Sequence, residues 1–389
     1  MENTTQGCEL ERDTETERQL RCAMALLVGW NAPRFVTFCR RFAPMETWFE
    51  QPPPCDGDEA YDFVTAGQRR RLEKLHQQGA RSVVERVNDW SGQVIVYGDD
   101  GYPQRFEQLD RAPAAIHLLG PPSALVQPSV AVVGSRKIPV GAASSARRIL
   151  QPVARQGIAI VSGGALGADA VAHRAAVDAS ATTVVVLPSG LHNPSPKSNR
   201  RLFRDVADSG GALISEYPPD EGVRRYHFRR RNSLIAALSR GVLVLRAGAK
   251  SGTMLTVEAA RRLDRPLAAV PGPPDDPLSA GCHQILRDGG RLIVDSKDLM
   301  EWCNTIMSEE LALLSEDAPQ KVTDKKRPDC EVLDEAESLL DVGGAFSVEQ
   351  LARHTDKTAA ELQSILLEHE LAGVVERVPG GGKYRFCPS

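Results

Sequence analysis

The sequence lacks any run approaching the ~18 consecutive apolar residues of a membrane span, and it does not open on a basic stretch followed by an apolar one. Neither secretion nor membrane insertion is expected, and the cytoplasm is the expected location. Its eight cysteines (Cys8, Cys22, Cys39, Cys55, Cys282, Cys303, Cys330 and Cys387) include no CxxC pair. Such scatter argues against a zinc knuckle or a disulfide framework and for reduced thiols. There is no HExxH and no nucleophile elbow, and the eight histidines are dispersed. A binding protein without cofactor or metal is therefore expected rather than an enzyme. A strong charge of either sign is missing too: 47 Lys and Arg against 51 Asp and Glu leave a net charge of −4. This excludes a protein that coats nucleic acid with its whole surface, so any such site must be a local basic patch.

What is present is enough apolar residue (42% of 389) for two or three domains with cores of their own. An acidic tail over residues 1–18 leads into apolar-periodic stretches at Leu20 to Val28 and Phe35 to Phe42, separated by Asn31 and Pro33, and an amphipathic stretch follows at Ala66 to Gln78. Residues 19–80 read as a small helical module. Short apolar runs at Val94 to Tyr97 and Ile116 to Leu119 flank a turn at Asp99 to Pro103. Thereafter apolar runs alternate with helical stretches: Val130–Val133, Ile158–Val161, Thr183–Leu187, Ala212–Ser215, Val242–Leu245, Leu267–Val270 and Leu292–Val294. That rhythm predicts a Rossmann-like α/β domain with a mainly parallel sheet over residues 81–305, its core at 130–300. Residues 306–329 are rich in Glu, Asp, Lys, Ser and Pro and read as a linker. Residues 330–389 read as a winged helix: helices at Cys330 to Leu340 and Thr358 to Leu371, a capping box at Ser347 to Gln350 opening a helix between them, and a hairpin from Val374 to Phe386.

Three loops at strand ends could hold an anion, because ligands of open α/β sheets sit at the carboxyl ends of strands and helix N-termini favour negative charge. The first is Gly134, Ser135, Arg136 and Lys137. The second begins Ser162, Gly163, Gly164 and runs to Asp169. It lacks both the first glycine of a dinucleotide fingerprint and an acidic residue closing the next strand, so NAD is disfavoured. Asp169 reads as a helix-start carboxylate and His173 as a packed or capping histidine. The third is Lys250, Ser251, Gly252 and Thr253, which has half the features of a Walker A loop and not the glycines ATP hydrolysis requires. The densest charge lies in Arg224, Arg225, Tyr226, His227, Phe228, Arg229, Arg230, Arg231 and Asn232. Cations that track phosphates, interleaved with rings on which bases stack, suit sequence-tolerant single-strand binding.

Taken with Ser215-Glu216-Tyr217-Pro218-Pro219, Leu238-Ser239-Arg240-Gly241, Val270-Pro271-Gly272 and Gly281-Cys282, these segments resemble, in order, the DNA-processing protein A (DprA/Smf) family of bacterial recombination mediators. The resemblance implies a protein that binds and protects single-stranded DNA in natural transformation or recombination and loads RecA recombinase onto it. It further implies a homodimer through the Rossmann-like domain, no cofactor, and a helical module resembling a sterile alpha motif in front of the core. By the same resemblance, Gly134, Ser135, Arg136, Ser162, Gly163, Arg229, Arg230, Asn232, Lys250, Ser251 and Gly252 would contact DNA. Leu166 departs from the pattern, standing where family members often carry an arginine.

Two rival readings fit less well. A nucleotide-processing phosphoribohydrolase needs a glutamate three residues after a Gly-Thr, and Gly252-Thr253 is followed there by Thr256, with Glu258 two residues too late. A transcription factor would need a basic recognition helix, whereas the third winged-helix segment carries Glu361, Glu368 and Glu370 against Lys357. That module is expected to contact protein or to regulate.

Overall fold

The computed structural model describes residues 15–52, 61, 63–316 and, beyond these, 345–348, 350, 352, 358, 362, 366, 375–377 and 383–386. The chain divides into two compact units, Met1–Leu313 and Leu314–Ser389. Among the described residues no helix is long and apolar enough to cross a membrane.

The first unit opens with five helices: α1 (Glu15–Leu27), α2 (Ala32–Phe42), α3 (Met45–Glu50), α4 (Ala66–Gln78) and α5 (Ala80–Asn88). Asn31 caps α2 by accepting the Arg34 N–H, and Thr65 and Gln68 form a reciprocal capping box on α4. Their shared core is aromatic: Phe38 meets Trp30, Phe42 and Trp48, and Trp48 donates to the Tyr61 hydroxyl at 2.9 Å. The short α3 has no local cap. Its first backbone N–H groups donate instead to the carboxylate of Glu17, Met45 at 2.7 Å and Glu46 at 3.2 Å.

The sheet follows: β1 (Gln93–Val96), β2 (Ala115–Leu119), α6 (Ser123–Val126), β3 (Ser129–Gly134), α7 (Val140–Ala154), β4 (Ala159–Ser162), α8 (Ala168–Asp178), β5 (Thr183–Val186), α9 (Arg200–Asp208), β6 (Ala212–Ser215), α10 (Arg225–Leu238), β7 (Val242–Arg246), α11 (Thr253–Arg262), β8 (Leu267–Ala269), α12 (Ala280–Arg287), β9 (Arg291–Leu292) and α13 (Ser296–Glu316). The spatial order is β1-β2-β6-β5-β4-β3-β7-β8-β9. From β6 to β9 every pairing is parallel, and β2 joins β6 antiparallel. Strands β3 to β7 are buried almost throughout because helices cover both faces, which is why they read as unbroken apolar runs. Alternate residues serve opposite cores: Ala131 and Val133 pack with α10, α11 and α12, while Val130 and Val132 pack with α7, α8 and α13. The fold is the α/β architecture expected, with two additions at its edge, since the runs near Val94 and Ile116 enter the same sheet. Helix α13 continues to Glu316, so the first part of the expected linker is helical, as its Glu, Ala and Leu residues favour.

In the second unit the described strands β10 (Ala345–Ser347), β11 (Val375–Arg377) and β12 (Lys383–Phe386) form an antiparallel sheet in the order β10-β12-β11. Strands β11 and β12 are the expected hairpin. The expected capping box is present: Gln350 N–H donates to Ser347 Oγ at 3.2 Å, and Ser347 N–H to Gln350 Oε1 at 2.8 Å. The tail over residues 1–14, the linker from 317 to 329, the helix at 330–340 and the acidic Glu361, Glu368 and Glu370 lie outside the described residues.

Behind the glycine loop, His173 is fully buried and its Nδ1 lies 2.8 Å from Thr183 Oγ1. That hydroxyl spends its proton on Ile160 O at 2.7 Å, so His173 Nδ1 is the donor. Its Nε2 has no partner, and burial with Arg231 nearby pushes the pKa down to about 3. A histidine whose folded pKa lies below its unfolded value near 6.5 contributes stability that is full above 6.5 and is lost as pH falls toward 3. Urea titrations between pH 6.5 and 4.5 are expected to show stability falling more steeply, by up to ~1.4 kcal/mol per pH unit, in the natural protein than in His173→Gln. Equal slopes would contradict this assignment.

Candidate nucleic-acid interface

The chain winds outward from β3 through β4 and β5 to β6, then returns to place β7 on the other side of β3. The crevice beyond the carboxyl ends of β3 and β7 is thus the topological switch point, where the first turns out of two neighbouring strands diverge. A pocket of about 440 Å³ opens there. Its walls are Gly134, Ser135 and Arg136 after β3, Ala165 and Asp169 at the start of α8, Ser251, Gly252 and Thr253 at the start of α11, and one side of α10. Gly167 lets two of these loops close on each other: its φ is +78°, and a Cβ there would lie 2.4 Å from Ser135 O.

Helix α10 supplies Phe228, Arg231, Asn232 and Ile235 to the pocket, residues at the i, i+3, i+4, i+7 spacing of one helical face. Arg231 is 5% exposed, and its Nη1 lies 3.8 Å from Asp169 Oδ2. Burial raises the pKa of Asp169; Arg231 and the Ala165 and Gly163 N–H groups pull it back only in part. Burial likewise lowers that of Arg231 despite the carboxylate beside it. Desolvation thus outweighs attraction for both partners. Nε and Nη1 of Arg231 are buried and donate to no acceptor, and neither does the hydroxyl of Ser251 find a partner. Buried donors without acceptors are costly in a finished core and suited to a site that completes itself on a ligand. The Phe228 ring has two cations near it, the Arg136 guanidinium 5.5 Å from its centroid and that of Arg231 at 5.9 Å.

The pocket therefore collects Gly134, Ser135, Arg136, Phe228, Arg231, Asn232, Ser251, Gly252 and Thr253 from the residues singled out in the sequence. Lys137 and Lys250 are exposed on the same two loops without lining it. Ser162 and Gly163 lie beneath it: the Ser162 hydroxyl donates to Val132 O at 2.6 Å, and Gly163 makes room for Arg231. Gly164 packs against Phe203 and Val185. Arg224, Arg229 and Arg230 face a different groove, and Arg225 is exposed between the two. Arg230 is held by Glu216 through Nε at 2.7 and 3.0 Å and by Arg111 O. Asp169, read in the sequence only as a helix-start carboxylate, does accept the Ala165 N–H at 3.2 Å. Its pairing with Arg231, 62 residues on, leaves no local signal.

The family described as DNA recombination-mediator protein A matches residues 93–304, and the DprA winged helix domain matches residues 330–381. A putative DNA processing protein DprA of Mycobacterium tuberculosis is 33% identical over 344 residues, spanning 82% of this chain and 85% of its own. Protein Smf of Escherichia coli (strain K12) is 34% identical over 319 residues, spanning 82% and 84%. Among solved structures, DNA processing protein A from Streptococcus pneumoniae superposes with a TM-score of 0.60 at 26% identity, covering 75% of this chain and 98% of that one. The protein of the same name from Helicobacter pylori, described for a unique single-stranded DNA binding mode, gives 0.50 at 27% identity, covering 56% and 97%. With a family match over more than half of the chain and relatives one-third identical along four-fifths of it, the protein belongs to the DNA recombination-mediator protein A family, also called DprA or Smf.

Proposed function

We propose that this protein binds single-stranded DNA in the switch-point pocket and acts as a recombination mediator. It shields the strand from nucleases and loads RecA onto it, in natural transformation or at recombination sites. The observation that carries the reading is the buried Arg231 guanidinium, with unsatisfied donors beside an open pocket and an aromatic ring next to it. A phosphate supplies the missing acceptors, Arg136 and Lys250 add cations at the mouth, and Phe228 offers a face to an unpaired base. The single-stranded DNA binding mode named for the Helicobacter pylori relative supports the same ligand. The protein works in the cytoplasm as a homodimer through its Rossmann-like domain, with a helical module like a sterile alpha motif at residues 19–80 and a winged helix at 330–389 that contacts protein rather than duplex DNA.

This is a binding role and not catalysis. Among the described lining residues Asp169 is the one carboxylate, and it is committed to Arg231; Thr256 stands where a phosphoribohydrolase needs its glutamate. A gel shift with single- and double-stranded oligonucleotides of one sequence tests the proposal. Binding of the single strand is expected to be at least tenfold tighter, and no adenine should be released from AMP. Equal affinity for both forms, or adenine release, would overturn it.

A further inference from the structure

A second basic groove, of about 690 Å³, lies on the other side of α10 from the pocket, bounded also by the end of α1, by Arg71 of α4 and by the turn before β2. Its charge is uneven. Six arginines line it against Asp110, Glu216 and Glu221. Glu216 is taken by Arg230 at 2.7 Å and Glu221 by Arg224 at 2.9 Å, so among the described residues Arg71, Arg111, Arg229 and Arg262 have no acidic partner. Tyr226, 63% exposed, stands at the rim. Its ring is braced edge-on by His227 at 4.5 Å, which is itself stacked on Tyr217 at 3.8 Å. Trp30 also lines the groove; it is 6% exposed, and its indole N–H has no acceptor.

We infer that this groove is a second nucleotide subsite, which receives the same DNA strand after it leaves the pocket. The inference rests on the single-stranded DNA reading above. Helical phase supplies the path: at 100° per residue, the pocket residues Phe228, Arg231, Asn232 and Ile235 and the groove residues Tyr226, Arg229, Arg230 and Ser233 lie roughly 160° apart on α10. Arg225, exposed between the two faces, and Arg229, one turn on at the near edge of the groove, form a cationic ridge along the way. A strand crossing a helix ~10 Å wide thus meets cations all the way, then a ring on which an unpaired base can stack. Duplex DNA offers no such base, which makes single-stranded DNA the ligand. The helical module, through Trp30 and Arg71, forms part of the DNA path.

The test measures binding of a labelled pentanucleotide and a twenty-nucleotide strand to the full-length protein and to Arg111→Ala/Arg262→Ala, Tyr226→Ala and Arg136→Ala. Both groove variants are expected to bind the pentanucleotide as the natural protein does and to lose about tenfold on the longer strand. The double variant should also show a salt slope lower by ~1.4, for two lost phosphate contacts. Tyr226 is exposed, so its variant answers the question even if the double variant folds poorly. Natural affinity and slope for the long strand in both groove variants would overturn the inference. Arg136→Ala tests the pocket separately: loss on both lengths supports it, while indifference with the groove variants impaired would refute the pocket reading and leave the groove standing.

Discussion

Replacing Asp169 with alanine is expected to lower the unfolding free energy by about 3–5 kcal/mol, the usual effect of leaving a buried charge without its partner. Arg231 is buried in the wall of the pocket, among the described residues Asp169 is the one carboxylate paired with it, and a guanidinium cannot shed its proton to escape. The opposite deletion should cost less. In Arg231→Met the stranded Asp169 can protonate, because burial already raises its pKa. Removing both charges together should restore most of the stability, since desolvation outweighs attraction for each partner. All three variants are expected to lose single-stranded DNA binding. Urea denaturation checks the order of stabilities. An Asp169→Ala protein within 1 kcal/mol of the natural one would contradict the account of Arg231 as a buried cation that depends on Asp169.

Gly163→Ala is expected to remove binding while leaving the fold intact. A Cβ at this position would fall 1.1 Å from Arg231 Nη1 and 2.9 Å from Asp169 Oδ2, so the guanidinium has to leave its seat. The clash is with the far end of a flexible side chain and not with backbone, and the structure around it need not open. Affinity for single-stranded DNA should fall at least tenfold, with a stability loss of roughly 1–3 kcal/mol from the broken pair. Gly252→Ala is the contrast: its Cβ meets nothing within 4 Å, so stability should stay within about 0.5 kcal/mol, and any loss of affinity reports DNA lying against that loop. Filter binding and thermal melts on the two alanine variants separate these outcomes, and unchanged binding by Gly163→Ala would remove Arg231 from the site.

The parallel strands were legible because burial on both faces leaves unbroken apolar runs, and β3, β4 and β6 fall within a residue of the runs read from the sequence. The capping box at Ser347 was legible because both its partners lie within four residues. Features set by distant contacts were not. Helix α3 is capped by Glu17, 28 residues away, and the membership of β1 and β2 in the large sheet depends on pairing with β6. The arginine cluster at 224–232 was legible as composition, and its division was not, because density of charge says nothing of helical phase. Once the segment is the start of α10, Arg231 turns inward to Asp169, Arg230 turns to Glu216, and Arg225 and Arg229 remain in solvent.

The most direct test of the switch-point pocket is the salt dependence of single-stranded DNA binding by the natural protein and by Arg136→Ala. Arg136 is exposed, has no acidic partner among the described residues and lies over Phe228, so its removal should not disturb the core. If it holds one phosphate of the strand, the slope of log K against log salt should become shallower by ~0.7, and affinity at low salt should fall. An unchanged slope and affinity in Arg136→Ala would contradict the placement of DNA in this pocket.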